Sequence, residues 1–442
     1  MYERKNKRKG VQTMRLVLKG GTVYTENGFV QADVAVEEGR IVSVSPSVCD
    51  EGASVIELHD QLVVPGFVDV HVHLREPGFS YKETVYSGTS AAAAGGYTAV
   101  CAMPNLKPVP DSVENLRQER ELIRKNARVR VYSYGAITVG QKGEEMADLD
   151  GMAPDVCGFS DDGRGVQNET MMRAAMERAK KLDKHIVAHC EDEALLAPGW
   201  AIHDGEFCRR LGLVGNAPES EWKQVERDIA LVRETGCKYH VCHISTKESV
   251  ELVRWAKAEG LQVTCETGPH YLVLTDMELE DDGRYKMNPP IRTAADRDAL
   301  IAGLLDGTVD CIATDHAPHS AEEKGRGLAK SLNGIVGLET AFPILYTQLV
   351  ETGIVPLEVI LKALCVNPRR IFTLEGGVIG EGAVADLTVL DLNRPHVIDP
   401  QKFKSLGRAT PFAGWGVSAA VAMTIVGGEI VYADLANREE QV

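Results

Sequence analysis

Histidine and aspartate side chains fall in this 442-residue chain at places where they could hold metal ions. His71 and His73 close the apolar run FVDVHVH, and a spacing of two on a strand turns both imidazoles to one face, where they can grip one ion. Four further runs end in ligand types: FSDDG in Asp161 and Asp162, AHCED in His189, CHIST in His243 and ATDHAPH in Asp315. Singly, each has an ordinary reading, since a lone strand histidine is usually a hydrogen-bonded core residue and Asp-Asp-Gly is usually a turn. That reading does not explain why metal-type ligands collect at the same end of five different runs. Four imidazoles and two carboxylates, Asp315 and one of the Asp161–Asp162 pair, suit two zinc ions sharing a bridge, and imidazole favours zinc over magnesium.

The elements that must position these residues follow from the chain's rhythm. Eight short apolar runs alternate with longer stretches of helical composition, at 67–73, 98–103, 130–137, 156–160, 185–190, 239–244, 262–267 and 309–314. Stretches such as 169–182 and 247–260 carry apolar residues at three- and four-residue spacing, as amphipathic helices do. Eight βα units predict an α/β fold, a (β/α)8 TIM barrel over 66–375, whose chemistry sits at the C-terminal ends of the strands. An open doubly wound sheet is disfavoured, because no glycine-rich phosphate fingerprint follows the first strand. Before and after the barrel, at 14–65 and 376–442, short apolar runs are broken by turn residues. Neither end has enough strands to bury a face alone, so both are expected to build one small β-sandwich domain.

Composition narrows the class of function. The balance of 48 Lys+Arg against 64 Asp+Glu gives a formal charge of -16, which disfavours a nucleic-acid partner. No apolar run approaches the roughly 20 residues of a membrane-spanning helix, so no membrane association is expected. Ten cysteines without a Cys-x-x-Cys pair read as reduced thiols in a cytoplasmic protein. Residues 1–13 are basic without the apolar core of an export signal, and read as a disordered arm or an over-long start.

Position separates the other histidines from the ligand set. His240 lies three residues before His243, so a regular strand would turn it to the opposite face, and His185 opens its strand at the bottom rim. His59 and His396 fall in or near the β-domain and His203 in a helix-loop stretch. By the same alternation Cys190 and Cys242 point away from their neighbouring histidines, and with Cys311 they read as packing residues.

The motifs PGFVDVHVHLREPG, GGYTAVCAMPN, FSDDGRGV, VAHCED, CHISTKES, TGPHYL, KMNPPIR and ATDHAPH together resemble those of class I dihydroorotases of the amidohydrolase superfamily, from about residue 14 to about 434. The resemblance implies reversible hydrolysis of (S)-dihydroorotate to N-carbamoyl-L-aspartate in de novo pyrimidine biosynthesis. It implies one zinc ion on His71, His73 and Asp315 and a second on His189 and His243. Asp162, rather than Asp161, and a hydroxide would bridge them. Asp315 would also be the catalytic base. His73, Arg75, Asn105, Asn288, His319 and the Asn333-Gly334 loop would bind substrate, with Arg75 offering a planar fork to its carboxylate.

One departure stands out: the family commonly carries Pro-Phe-Gly where this chain has Leu332-Asn333-Gly334. Alternative readings are another cyclic-amide hydrolase, of the hydantoinase or allantoinase kind, and a non-catalytic scaffold for aspartate carbamoyltransferase. The first typically bridges its metals with a lysine, absent near the end of the fourth run. The second usually lacks metal-binding histidines. A homo-oligomer is expected, and an active enzyme could still partner the transcarbamoylase. Deleting residues 1–13 is expected to leave the thermal melt and the turnover unchanged; a clear loss of either would give the arm a role.

Overall fold

The computed structural model describes residues 15–434, so the basic arm lies outside the described residues. Eight strands from both ends of the described chain form one sheet. The N-terminal part supplies Leu16–Thr25, Gly28–Glu37, Arg40–Ser45, Ser54–Glu57 and Leu62–Pro65, and the C-terminal part supplies Leu387–Asp391, Ala420–Val426 and Glu429–Ala433. Leu62–Pro65 joins the two, pairing parallel with the first strand and antiparallel with Leu387–Asp391. The first strand bulges between Leu18 and Gly21, so its first half pairs with Ser54–Glu57 and its second with Leu62–Pro65. Alternation places Leu16, Leu18, Val34, Val63, Leu387 and Val389 in one buried core, which neither end could complete alone.

The second sheet holds eight parallel strands in sequence order: Phe67–Val72, Tyr97–Ala102, Arg130–Gly135, Gly158–Phe159, His185–Ala188, Lys238–Val241, Val263–Thr267 and Cys311–Ile312. These correspond to the eight apolar runs. Val72 bridges His316 in parallel, which brings the exit of the eighth strand beside the first and nearly closes a barrel. Asp69 secures the same seam, since its buried carboxylate accepts from the backbone N–H of His71 and of Thr314 at 3.0 Å each.

The connecting helices follow their patterns. Glu169–Lys181 starts where the Asn168 side chain accepts from Met171 N, buries Met172, Ala175, Met176 and Ala179, and ends in Arg178, Lys180 and Lys181, which suit the negative end of the helix dipole. Lys247–Ala258 is capped by Thr246 and buries Val250, Val253 and Ala256. His203 corrects the helix-loop expectation: it lies on a short strand, Ile202–His203, paired in parallel with Gly215–Asn216. That ribbon is too short to show a period, and its buried His203 Nδ1 sits 3.2 Å from Arg292 Nη1.

Gly66 separates the two sheets, with Pro65 ending the last N-terminal strand of the small sheet and Phe67 opening the barrel. Its N–H donates to Asp386 O at 2.9 Å, and its carbonyl accepts from the buried Arg369 guanidinium at 2.5 Å. A Cβ at this position would run into the Thr98 side chain, so only glycine lets the chain pass so close to the second barrel strand. Gly66→Ala is therefore expected to cost about 1–3 kcal/mol through overpacking. Denaturant unfolding checks this, and an unchanged midpoint would contradict it.

Candidate metal centre and substrate cavity

The C-terminal ends of barrel strands one, four, five, six and eight bring His71, His73, Asp162, His189, His243 and Asp315 together, all buried. His71 Nδ1 lies 2.7 Å from Glu266 Oε1, and His73 Nδ1 lies 2.7 Å from Asn105 Oδ1. Both partners are acceptors, so both rings carry the proton on Nδ1 and turn a bare Nε2 inward. His71 Nε2 stands 3.3 Å from Asp162 Oδ1 and 3.4 Å from Asp315 Oδ1, while His73 Nε2 stands 3.0 Å from Asp315 Oδ1 and 3.5 Å from Asp162 Oδ2. From the other side His189 Nδ1 and His243 Nε2 approach Asp162 Oδ1 to 3.7 Å each, 2.9 Å from one another.

Buried polar atoms normally find a hydrogen-bond partner, yet His71 Nε2, Asp162 Oδ1, His189 Nε2 and His243 Nδ1 have none. His71, His73 and Asp315, and likewise His71, Asp162 and His243, hold their ligand atoms within 4.8 Å of one another. Of these, His71 Nε2 and Asp162 Oδ1 face one another across 3.3 Å, and such unpartnered imidazole and carboxylate atoms in a buried cluster fit metal ions. Burial alone would raise the Asp162 carboxyl, but the imidazoles gathered around it, His71 foremost, hold it well below the usual carboxylate range. Asp161 turns elsewhere, its Oδ1 accepting from Ile137 N at 2.8 Å and Thr138 N at 3.1 Å.

Backbone strain accompanies the convergence. Arg75, His243 and Asp315 have φ of 61°, 33° and 47°, in the left-handed region that side chains rarely adopt. This corrects the alternation argument at strand six. The ladder ends at Val241, and His243 reaches the centre from a turn, so strand parity says nothing about Cys242. Cys242 faces inward, with its sulfur within 4.8 Å of the ligand atoms of His71 and Glu266. His240 is also interior, one layer below, with Nε2 3.1 Å from Glu266 Oε2.

A cavity of about 190 Å³ opens over the cluster. Arg75, Asn105, Asn288, His319, Asn333 and Gly334 all border it. Arg75 Nε donates to Pro318 O at 3.2 Å, and Asn288 Nδ2 donates to Glu191 Oε2 at 3.1 Å. The divergent loop is held by its backbone: Gly334 N donates to Lys286 O at 3.1 Å and Lys324 Nζ to Leu332 O at 2.7 Å, while the Leu332 side chain is exposed. A Cβ on Gly334 would meet Ala317 O at 2.5 Å, so the loop passes this point only with a glycine. A larger cavity, about 1020 Å³, lies at the opposite end of the barrel near His185 and Phe372, and none of the ligand cluster lines it.

Sequence reasoning passed over Glu266, a fully buried carboxylate that orients His71 and His240 at once, although a glutamate in the run QVTCET was a visible signal. It also passed over Glu83, whose Oε2 stands 3.3 Å from His316 Nε2, while the His316 carbonyl accepts from His73 N at 2.9 Å.

Known proteins resemble the chain at three levels. The L-hydantoinase (dihydropyrimidinase) of Arthrobacter aurescens superposes with a TM-score of 0.85 at 26% identity, over 95% of this chain and 96% of that one. A dihydropyrimidinase from Brevibacillus agri superposes at 0.84 and 23% identity over 95% of both chains, a likeness of fold alone. The family described as Dihydro-orotase-like matches residues 60–249. Proteins named dihydroorotase from Bacillus cytotoxicus and Bacillus cereus are each 48% identical over 422 residues, which is 95% of this chain and 98% of theirs. The chain belongs to the dihydroorotase family. Its membership makes it an enzyme and accounts for the barrel it shares with the hydantoinases.

Within this dihydroorotase-family site, Glu266 is expected to strengthen His71 as a ligand by accepting its Nδ1–H. Glu266→Gln should weaken metal binding about 10- to 100-fold, read by chelator competition. Unchanged affinity would leave Glu266 a packing residue.

Proposed function

We propose that this enzyme catalyses the reversible hydrolysis of (S)-dihydroorotate to N-carbamoyl-L-aspartate, the ring-closing step of pyrimidine synthesis when run backwards. The observation that carries the reading is the meeting of a buried cluster of four histidines and two aspartates with a small cavity whose rim carries Arg75 and His319. A cyclic amide needs activation at its carbonyl, and a substrate carboxylate needs donors at its other end.

His71, His73 and Asp315 would hold one zinc ion and His189 and His243 the other, with Asp162 between them. Such a pair supplies Lewis-acid polarisation of the scissile carbonyl and a water of lowered pKa. Asp315 takes the proton released as the tetrahedral intermediate forms. It then delivers that proton to the departing ring nitrogen, a poor leaving group unless protonated. Arg75 offers its guanidinium face to the substrate carboxylate, held in aim by Pro318 O. Asn288 spends its amide N–H on Glu191, which leaves its Oδ1 as an acceptor for a ring N–H.

Hydantoinase or dihydropyrimidinase activity is the second reading, favoured by the fold neighbour from Arthrobacter aurescens. The 48% relatives, and a rim built around Arg75, support a carboxylate-bearing substrate instead. Reduced cysteines suit a cytoplasmic setting, and no helix among the described residues is long and apolar enough to cross a membrane.

Asp315→Asn should retain much of the zinc yet lower kcat by roughly two orders of magnitude or more, through loss of the proton acceptor. Near-normal turnover in a metal-loaded variant would remove that role. Arg75→Lys should raise KM for dihydroorotate, because a point charge cannot replace the two-pronged contact. Kinetics equal to wild type would take Arg75 out of the binding site.

A further inference from the structure

His319 borders the cavity with both ring nitrogens engaged. Nδ1 lies 3.1 Å from Lys82 Nζ, and an ammonium only donates, so Nδ1 is the bare, accepting nitrogen. Nε2 lies 2.8 Å from the Asn333 carbonyl oxygen, which only accepts, so Nε2 carries the proton. The two contacts are independent and demand the same tautomer. Burial, then the charges of Arg75 and Lys82, pushes the ring down to about 3, so it stays neutral in ordinary buffers.

Two neighbours pull the other way. Arg75 Nη2 stands 3.4 Å from Nε2, donor facing donor, and would be better satisfied by a bare Nε2. Glu323 Oε2 stands 3.6 Å from Nδ1 and would welcome a proton there. Without the lysine, the Asn333 carbonyl alone would hold the proton on Nε2, against both of these neighbours. Lys82 is itself anchored by Glu323 Oε1 at 2.9 Å, and that oxygen also accepts from Tyr81 O–H at 3.1 Å. Glu323 Oε2 accepts in turn from Ser320 N at 2.9 Å. The loop after the first barrel strand and the loop after the eighth thus meet at one lysine, whose side chain is only 11% exposed.

We propose that Lys82 is a positioning residue that fixes His319 in its Nε2–H form, so that Arg75 and His319 present two converging donors to the substrate carboxylate. The inference rests on the dihydroorotate reading for the identity of that carboxylate. In the free enzyme the Nε2–H is held by Asn333 O, with Arg75 Nη2 beside it. An arriving carboxylate can accept from both. The other tautomer would aim a lone pair at the anion and lose one of the two bonds. Because the contact is made at the binding group and not at the bond that breaks, Lys82 acts on KM more than on kcat.

The test uses zinc-loaded, histidine-15N-labelled enzyme, with long-range 15N–1H correlations reporting the tautomer and His319→Asn identifying the signal. Wild type should show His319 protonated at Nε2, and protonation at Nδ1 there would overturn the proposal. Lys82→Met should shift the ring to Nδ1–H and raise KM for dihydroorotate about tenfold or more, with kcat changed less than about threefold. Lys82→Arg, which can still donate to Nδ1, should restore most of the affinity. Wild-type KM in a folded Lys82→Met enzyme would overturn the role. Should that variant fail to fold, Lys82→Ala is read by the same spectrum and the same KM, and a ring still protonated at Nε2 with wild-type KM would overturn the role. A wild-type enzyme inactive on dihydroorotate would count against the functional reading, while the tautomer remains measurable.

Discussion

The Asp162 carboxylate, taken out of water at the mouth of the barrel, is the constraint on which the rest of the site depends. A buried anion is costly unless charge or donors surround it, and its neighbours here are four imidazoles from barrel strands one, five and six. No single segment could supply them. The barrel has to curve until strand one meets strand eight, and Asp69 at that seam accepts from the backbone of both. Closing the barrel and assembling the ligand cluster are therefore one structural event.

The small sheet contributes to the same end from the far side. It shares one glycine, Gly66, with the start of the ligand-bearing strand, and the two sheets are bolted together around it. Arg369 donates to Gly66 O and Thr98 Oγ1, and Arg130 pairs with Asp386 through two bonds of 2.7 and 3.1 Å. His71 lies five residues beyond the joint, so a shift there would move the ligands directly. The orientation of His71 is then refined locally by Glu266 and that of His73 by Asn105, each by accepting an Nδ1–H.

Much of this was legible in the sequence, for reasons that also explain what was not. The eight strands could be read because each is a short apolar run ending in polar residues, and the convergence of the histidines and aspartates because a parallel barrel gathers its strand ends at one rim. The choice between Asp161 and Asp162 could not come from spacing, since both sit in one turn; long-range bonds to Ile137 and Thr138 decide which faces away. Strand alternation failed for Cys242 because His243 leaves the ladder at positive φ, a strain with no local signature. Glu266, Glu83 and Lys82 act across 195, 233 and 237 positions of sequence, beyond any local pattern.

The proposed function joins a metal-dependent centre to a pocket built for a carboxylate. Its most direct test compares L-dihydroorotate with dihydrouracil, the same ring without the carboxylate, as substrates for zinc-reconstituted and chelator-stripped enzyme. Zinc-dependent turnover of dihydroorotate is expected, with little or none of dihydrouracil. Equal turnover of the two rings, or dihydroorotate hydrolysis that survives complete metal removal, would contradict it.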